Sequence, residues 1–259
     1  IAQCLVGSEM CIRDRGAHVD WMTGNDSGID VAPDIRAEYI FSDSYILYLN
    51  AQGGRQVNDY RMLSRISPYW GTEQQLDATY VPFDATLGFK ASPVSGLWFN
   101  IFGGYQIRKH ELFCTLVPAG QFVYTGFVQD KGKIGYGGAE VKYGYKDYFD
   151  ASVKGTYYGW TTDSDDDMIV AMKPEMELNF KVDAKLMDGL KLRLGYDYVK
   201  RKGEDVDPVS NLSVGATYEL LKDISIFVDV NNLLNKQYYY EGGYPAEKLN
   251  VLGGLTFRF

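Results

Sequence analysis

The sequence predicts an all-β protein: an antiparallel, up-and-down transmembrane β-barrel, left incomplete because its about eleven strands are an odd number that cannot close. Three observations predict it. Long stretches alternate apolar and polar residues without a break. The connections between them alternate between tight turns and long loops. The composition sets 21 Tyr and 28 Gly against 8 Pro, and no apolar run approaches the ~18 residues of a membrane helix.

Residues 1–15 stand apart. The run from Cys4 to Arg15 resembles the translated end of a transposon-type sequencing adaptor, with Glu9 to Asp14 encoded by GAG-ATG-TGT-ATA-AGA-GAC. This stretch is an adaptor-like artefact and is excluded from the fold. Its charges cancel, so the net charge of -8 is unaffected, and of the three cysteines only Cys114 is left. One thiol makes neither an internal disulfide nor a thiolate metal cluster. A genuine short N-terminal strand is the alternative. With no initiating Met, residues 16–259 are expected to be a fragment whose true N-terminus lies upstream.

The first six strands, at 34–41, 45–52, 83–91, 97–108, 134–145 and 149–158, alternate loosely. The next three are strict. In 175–186, Met176, Leu178, Phe180 and Val182 oppose Glu177, Asn179, Lys181 and Asp183. In 190–200, Leu190, Leu192 and Leu194 oppose Lys191 and Arg193; in 211–220, Leu212, Val214 and Ala216 oppose Asn211, Ser213 and Gly215. Strands at 224–231 and 248–259 complete the series. Tight turns fall at 42–44, 92–96, 146–148, 187–189 and 221–223, and long segments at 53–82, 109–133, 161–173, 202–209 and 232–247. Up-and-down strands put all tight turns on one side and all long loops on the other, the asymmetry of an outer-membrane barrel. Alternation alone does not say whether the apolar face points in or out, and a soluble barrel or sandwich shares it. Strand number, spanning length and aromatic residues near strand ends favour the membrane: Tyr157, Tyr158 and Trp160 on the loop side, Tyr148 and Phe149 on the turn side, and Tyr238 to Tyr240 by the last loop. Met176, Leu178, Phe180, Leu192, Leu194, Val214 and Ile226 should then face lipid, and Glu177, Lys181, Arg193, Asp197 and Glu219 a wet lumen.

The C-terminal run from Phe227 to Tyr240, with Asn231-Asn-Leu-Leu-Asn235 inside it, then Gly243 to Ala246 and Leu249 to Phe259, resembles the end of a TonB-dependent receptor barrel. The likeness is close over about 33 residues and stylistic upstream. Phe259, Phe257, Leu255 and Val251 share one parity and resemble the aromatic-ended signal for barrel insertion, whose physical basis is an edge strand open to pairing. The resemblance implies the C-terminal half of a Gram-negative outer-membrane receptor that takes up a scarce ligand (siderophore, cobalamin, glycan or peptide). It implies an absent plug domain, TonB acting through the absent N-terminal region, membrane lipid and lipopolysaccharide around the barrel, the barrel-assembly machinery and a surface lipoprotein as partners. The family's barrel has about twice the strands counted here, together with the plug. A plugless porin for passive diffusion is the alternative.

Motifs that carry chemistry are few. His110-Glu-Leu-Phe-Cys114 has Cys where a zinc hydrolase has its second His, and it reads as loop or strand rather than helix. Residues 126–133 lack the Ser or Thr and the spacing of a phosphate loop. His18, beside Asp20, has no nucleophile placed with it, so no enzyme is expected, and no cofactor is implied. The acidic balance argues against nucleic acid. The run from Asp163 to Asp167 is a solvated loop tip or a divalent-cation site. Tyr69, Trp70, Trp160, Tyr238, Tyr239, Tyr240 and Tyr244 are candidate ligand contacts at the loop side, against the plainer reading of girdle and loop packing. Energised uptake, passive diffusion, and a barrel that is adhesin or enzyme all remain open at this point.

Overall fold

The computed structural model describes residues 10–23, 28–71, 73–164, 167–203, 207–241 and 244–258. The strands are β1 (Met10–Met22), β2 (Gly28–Ser42), β3 (Tyr45–Gln56), β4 (Thr79–Val94), β5 (Leu97–Ala119), β6 (Phe122–Tyr145), β7 (Phe149–Thr162), β8 (Pro174–Met187), β9 (Leu190–Arg201), β10 (Val209–Leu221), β11 (Ile224–Asn231), β12 (Tyr239–Glu241), β13 (Tyr244–Pro245) and β14 (Asn250–Phe257). Two short helices, α1 (Tyr60–Ile66) and α2 (Asp167–Val170), lie in the long connections. Twelve strands form one antiparallel sheet in the order β1 to β11 and then β14, each beside its predecessor, and β12 and β13 make a separate small pair. β1 and β14 end the sheet without pairing to each other, so the sheet is open. Among the described residues, no helix is long and apolar enough to cross a membrane.

Two expectations are corrected. The main sheet has twelve strands, not eleven, because β1 adds to β2 and β2 itself begins at Gly28. Ala17, Val19 and Trp21 share a face with Ile29, Val31 and Pro33, while His18 and Asp20 point the other way, a run of alternation too short to stand out in the sequence. Met10 to Arg15, set aside as adaptor-like, continue the same strand along Ile40 to Ile35. Edge pairing uses backbone groups whatever the side chains, and β2 offers an open row of them. Secondly, residues 109–133 are not an irregular loop. β5 and β6 run 23 and 24 residues and rise as a hairpin beyond the ends of β4 and β7, turning at Gly120 (φ 67°). Leu112 and Phe113 are consecutive and both buried, so both faces of the hairpin are covered and the sequence there cannot alternate.

The register sorts the sheet into two faces. Leu49, Leu87, Ile101, Val141, Val153, Phe180, Leu194, Val214, Val228 and Val251 lie on one, most of them exposed, in a continuous apolar belt. A belt this large in water marks a lipid-facing surface. Tyr45, Phe89 and Phe99 pack together on that face toward the tight turns, as do Tyr143 and Phe149. The expected loop-side girdle is split: Tyr157 faces out, whereas Tyr158 and Trp160 face in, where the Tyr158 hydroxyl donates to Glu177 at 3.0 Å.

On the inner face, aromatic rings lie flat on the glycine opposite: Tyr48 on Gly88, Tyr136 on Gly104, Phe102 on Gly138 and Phe227 on Gly254. A Cβ at Gly104 would meet the Tyr136 ring at 2.4 Å, so only glycine lets the ring through. Each tyrosine thereby reaches over the intervening strand to the next one. Tyr48 donates to Asn100 at 3.1 Å, and Tyr136 donates to Asp84 at 2.9 Å. Arg193 likewise reaches Asp229 at 2.9 Å across Gly215. Long side chains span the ~10 Å between second-neighbour strands here because the glycine between them leaves room to lie across.

Candidate functional site

The β3–β4 connection is built to cross the β5–β6 hairpin. Asp59 caps α1, accepting from the Met62 N–H at 2.8 Å. Buried Leu63 packs with Leu112 and Phe127, flanked by Trp70, Leu76 and Cys114. Fully buried Ser67 donates to Thr125 at 2.9 Å, and the backbone of Tyr69 and Gly71 pairs with that of Thr125. Gln129 grips the Asp77 backbone at both N–H and C=O, and Gln74 accepts from the Phe127 N–H. Tyr69 is left exposed at the bend.

The β11–β14 connection is organised by the Asn-rich segment. Asn232 and Asn235 both hold φ of 50°, the left-handed region that asparagine tolerates better than other residues with a side chain. Buried Asn232 donates through Nδ2 to the carbonyls of Lys236 (2.7 Å) and Glu247 (3.1 Å), accepts from the Lys236 N–H, and donates its own N–H to Asn211 Oδ1 at 2.9 Å. Arg201 fixes the Tyr239 carbonyl at 2.5 Å. The loop so held presents Tyr244.

Tyr69 and Tyr244 stack face to face, with centroids 3.6 Å apart and planes within 5°. The contact joins connections whose nearest strands, β4 and β11, lie seven places apart in the sheet, so it reaches across the loop side. Beneath it lies a cleft of about 630 Å³ lined by Arg65, Ile66, Pro68, Tyr69, Asn211, Asn231, Asn232, Tyr238, Tyr244, Pro245, Ala246, Glu247 and Asn250.

Of the sequence-predicted contacts, Tyr69, Tyr238 and Tyr244 therefore meet at one cleft, with Tyr238 almost fully buried in its wall. Trp70 packs instead on Phe127 and Tyr60, and donates to Ser64. Trp160 packs on Phe113 and donates to the Pro174 carbonyl, away from the cleft. The Tyr239 hydroxyl accepts from Gln237. The Tyr240 side chain and Phe259 lie outside the described residues. Phe257, Leu255 and Val251 share the apolar outer face of β14. The asparagines were missed as cleft residues; the doubled Asn231-Asn232 was their one visible signal.

A second polar group fastens the other face of the hairpin. Glu111, buried at the bulge after Arg108, receives Arg108 at 2.7 Å and Lys173 at 2.5 Å. Lys173 also lies over Phe113 and Trp160, at 4.9 and 5.0 Å. Burial pushes the Glu111 carboxyl up, but Lys173 and then Arg108 outweigh it and hold it below the usual carboxylate range. Nearby, the Lys133 and Lys131 ammonium groups hold exposed Asp163 below that range as well. At Asp163, then, lysines take up the charge of the acidic run; Asp165 and Asp166 lie outside the described residues. His110 sits at the bulge of a strand with φ of 54°, not on a helix, and Cys114 packs against the Leu63 cluster. Among the described residues, no group of three or more His, Cys, Asp or Glu is placed to hold a metal.

No protein-family model and no curated protein matches the chain. Solved structures do. The ferric enterobactin receptor PfeA of Pseudomonas aeruginosa superposes with a TM-score of 0.65 at 16% identity, over 98% of this chain and 43% of that one. The ferripyoverdine receptor of the outer membrane of the same organism gives 0.62 at 16%, over 94% and 36%, and the copper transporter OprC 0.61 at 15%, over 97% and 45%. The chain shares the fold of part of these receptors' barrels. The chain spans less than half the length of these receptors, and the resemblance read from its last strands holds for the architecture of nearly all of it.

Proposed function

We propose that the chain is the C-terminal part of an outer-membrane receptor that takes up a scarce ligand with energy delivered through TonB. The observation that carries this is the mouth: the β3–β4 and β11–β14 connections meet over it through Tyr69 and Tyr244, above a polar cleft and inside a receptor fold. A surface bridged in this way suits ligand capture better than free diffusion, which needs an open lumen, so the porin reading is not favoured. Transport rather than catalysis is the activity proposed. The reading brings with it TonB acting on an upstream plug, lipid and lipopolysaccharide around the apolar belt, the barrel-assembly machinery at β14, and a surface lipoprotein at the mouth. Restoring the upstream sequence and measuring uptake with and without the proton-motive force tests it. Uptake should stop on de-energising; uptake that continues unchanged would favour passive diffusion.

A further inference from the structure

Resting on that receptor reading, we propose that the cleft beneath the Tyr69–Tyr244 stack takes a neutral polyhydroxylated ligand, a short oligosaccharide, rather than an anionic metal chelate. The charge inventory is the first argument. Arg65 and Glu247 are the charged side chains in the lining, and their signs offset each other. An anionic chelate leaving water would need converging cations to replace its hydration, and a single arginine accompanied by a carboxylate does not supply them.

Amide chemistry is the second argument, and the hydrogen bonds fix which way the amides point. Asn250 donates through Nδ2 to Glu247 at 2.9 Å, so its Oδ1 accepts from Asn231 Nδ2 at 3.2 Å, leaving the carbonyl oxygen of Asn231, a lining residue, as an acceptor. Asn211 Oδ1 accepts from the Asn232 N–H, leaving its Nδ2 as a donor. One open donor and one open acceptor from neighbouring strands match vicinal hydroxyls, each of which both donates and accepts. The third argument is shape. The tyrosines cover each other's inner faces, and the outer faces of the pair, both residues lining the cleft, are the flat surface against which the C–H face of a sugar ring would pack. The volume, about 630 Å³, suits a ligand of a few rings.

Calorimetric titration of the upstream-restored protein in detergent decides the matter, using a panel of neutral oligosaccharides (maltoheptaose, xylohexaose, mannohexaose) and the anionic iron(III) tris-catecholate complex as probes. Saturable binding of at least one oligosaccharide is expected, weakened by at least about tenfold in Tyr244→Ala, which removes the ring, and in Asn211→Asp, which keeps the oxygen that holds Asn232 but loses the donor. Tyr244→Phe should bind as the natural protein does. Absence of oligosaccharide binding, or binding that neither variant alters, overturns the proposal; so does catecholate binding that is lost in Tyr244→Ala. The two readings separate cleanly. Energised uptake of the catecholate without oligosaccharide binding removes the ligand class and leaves the receptor. Oligosaccharide binding with uptake that ignores the proton-motive force does the reverse.

Discussion

Glu111 shows how much one residue can hold in this fold. Its carboxylate sits between Arg108 and Lys173 at the foot of the raised hairpin, and Lys173 comes from the connection that also carries α2. Because the folded carboxyl is held below its ordinary value, its contribution to stability is fully present above about pH 4.3 and is lost as the pH falls through the lowered folded value. Glu111→Gln should destabilise the hairpin by about 3 kcal/mol at neutral pH, since two cations lose a buried partner. The difference from the natural protein should vanish in strong acid. Trp160 emission, reporting the ring beside Phe113 and Lys173, is the measurement: acid should shift it in the natural protein and not in the variant. An equal acid response in both would remove Glu111 from this role.

At the scale of elements, β8 states the two faces most plainly. Phe180 lies beside Val153 and Tyr196 in the apolar belt, and its neighbour Lys181 lies beside Ser152 and Gly195 on the inner face. Phe180→Arg should cost ~2 to 4 kcal/mol in a bilayer and Lys181→Gln almost nothing, as read from urea unfolding in lipid vesicles. Equal effects would sink the assignment. The same element explains what the sequence could tell. β8 to β11 were legible because lipid on one side and water on the other impose strict alternation. The upper part of β5 and β6 was not, because α1 packs on Leu112 while Trp160 and Lys173 pack on Phe113, erasing the period. At the cleft, Tyr69 and Tyr244 stood out as aromatic residues in loops. Their meeting depends on two connections far apart in the chain, and the asparagine amides acquire meaning only once Glu247 and the Asn232 backbone orient them.

Taken whole, the molecule is a sheet with two free ends. Among the described residues, β1 and β14 each have an outer edge paired with no further strand, and in hydrocarbon each unpaired backbone group costs several kcal/mol. The sheet therefore gains by adding a strand from any source, as β2 does from the residues before Gly16. In detergent the chain of 259 residues should self-associate, and light scattering coupled to size exclusion should give masses above that of the monomer. Supplying upstream strands that pair with both edges should abolish this. A stable monomer whose gel mobility changes on heating would instead mean that the edges find each other.

The rings laid on glycines in the inner wall divide the tyrosines into two optical populations. Tyr48 and Tyr136 are clamped between a glycine and a hydrogen-bond partner on the inner face, while Tyr45 and Tyr143 stand in the apolar belt on the other. A brominated lipid should quench the belt tyrosines, exposed Tyr157 among them, and spare Tyr48 and Tyr136. The unquenched fraction then reports the tyrosines held on the inner face, readable without labelling the protein.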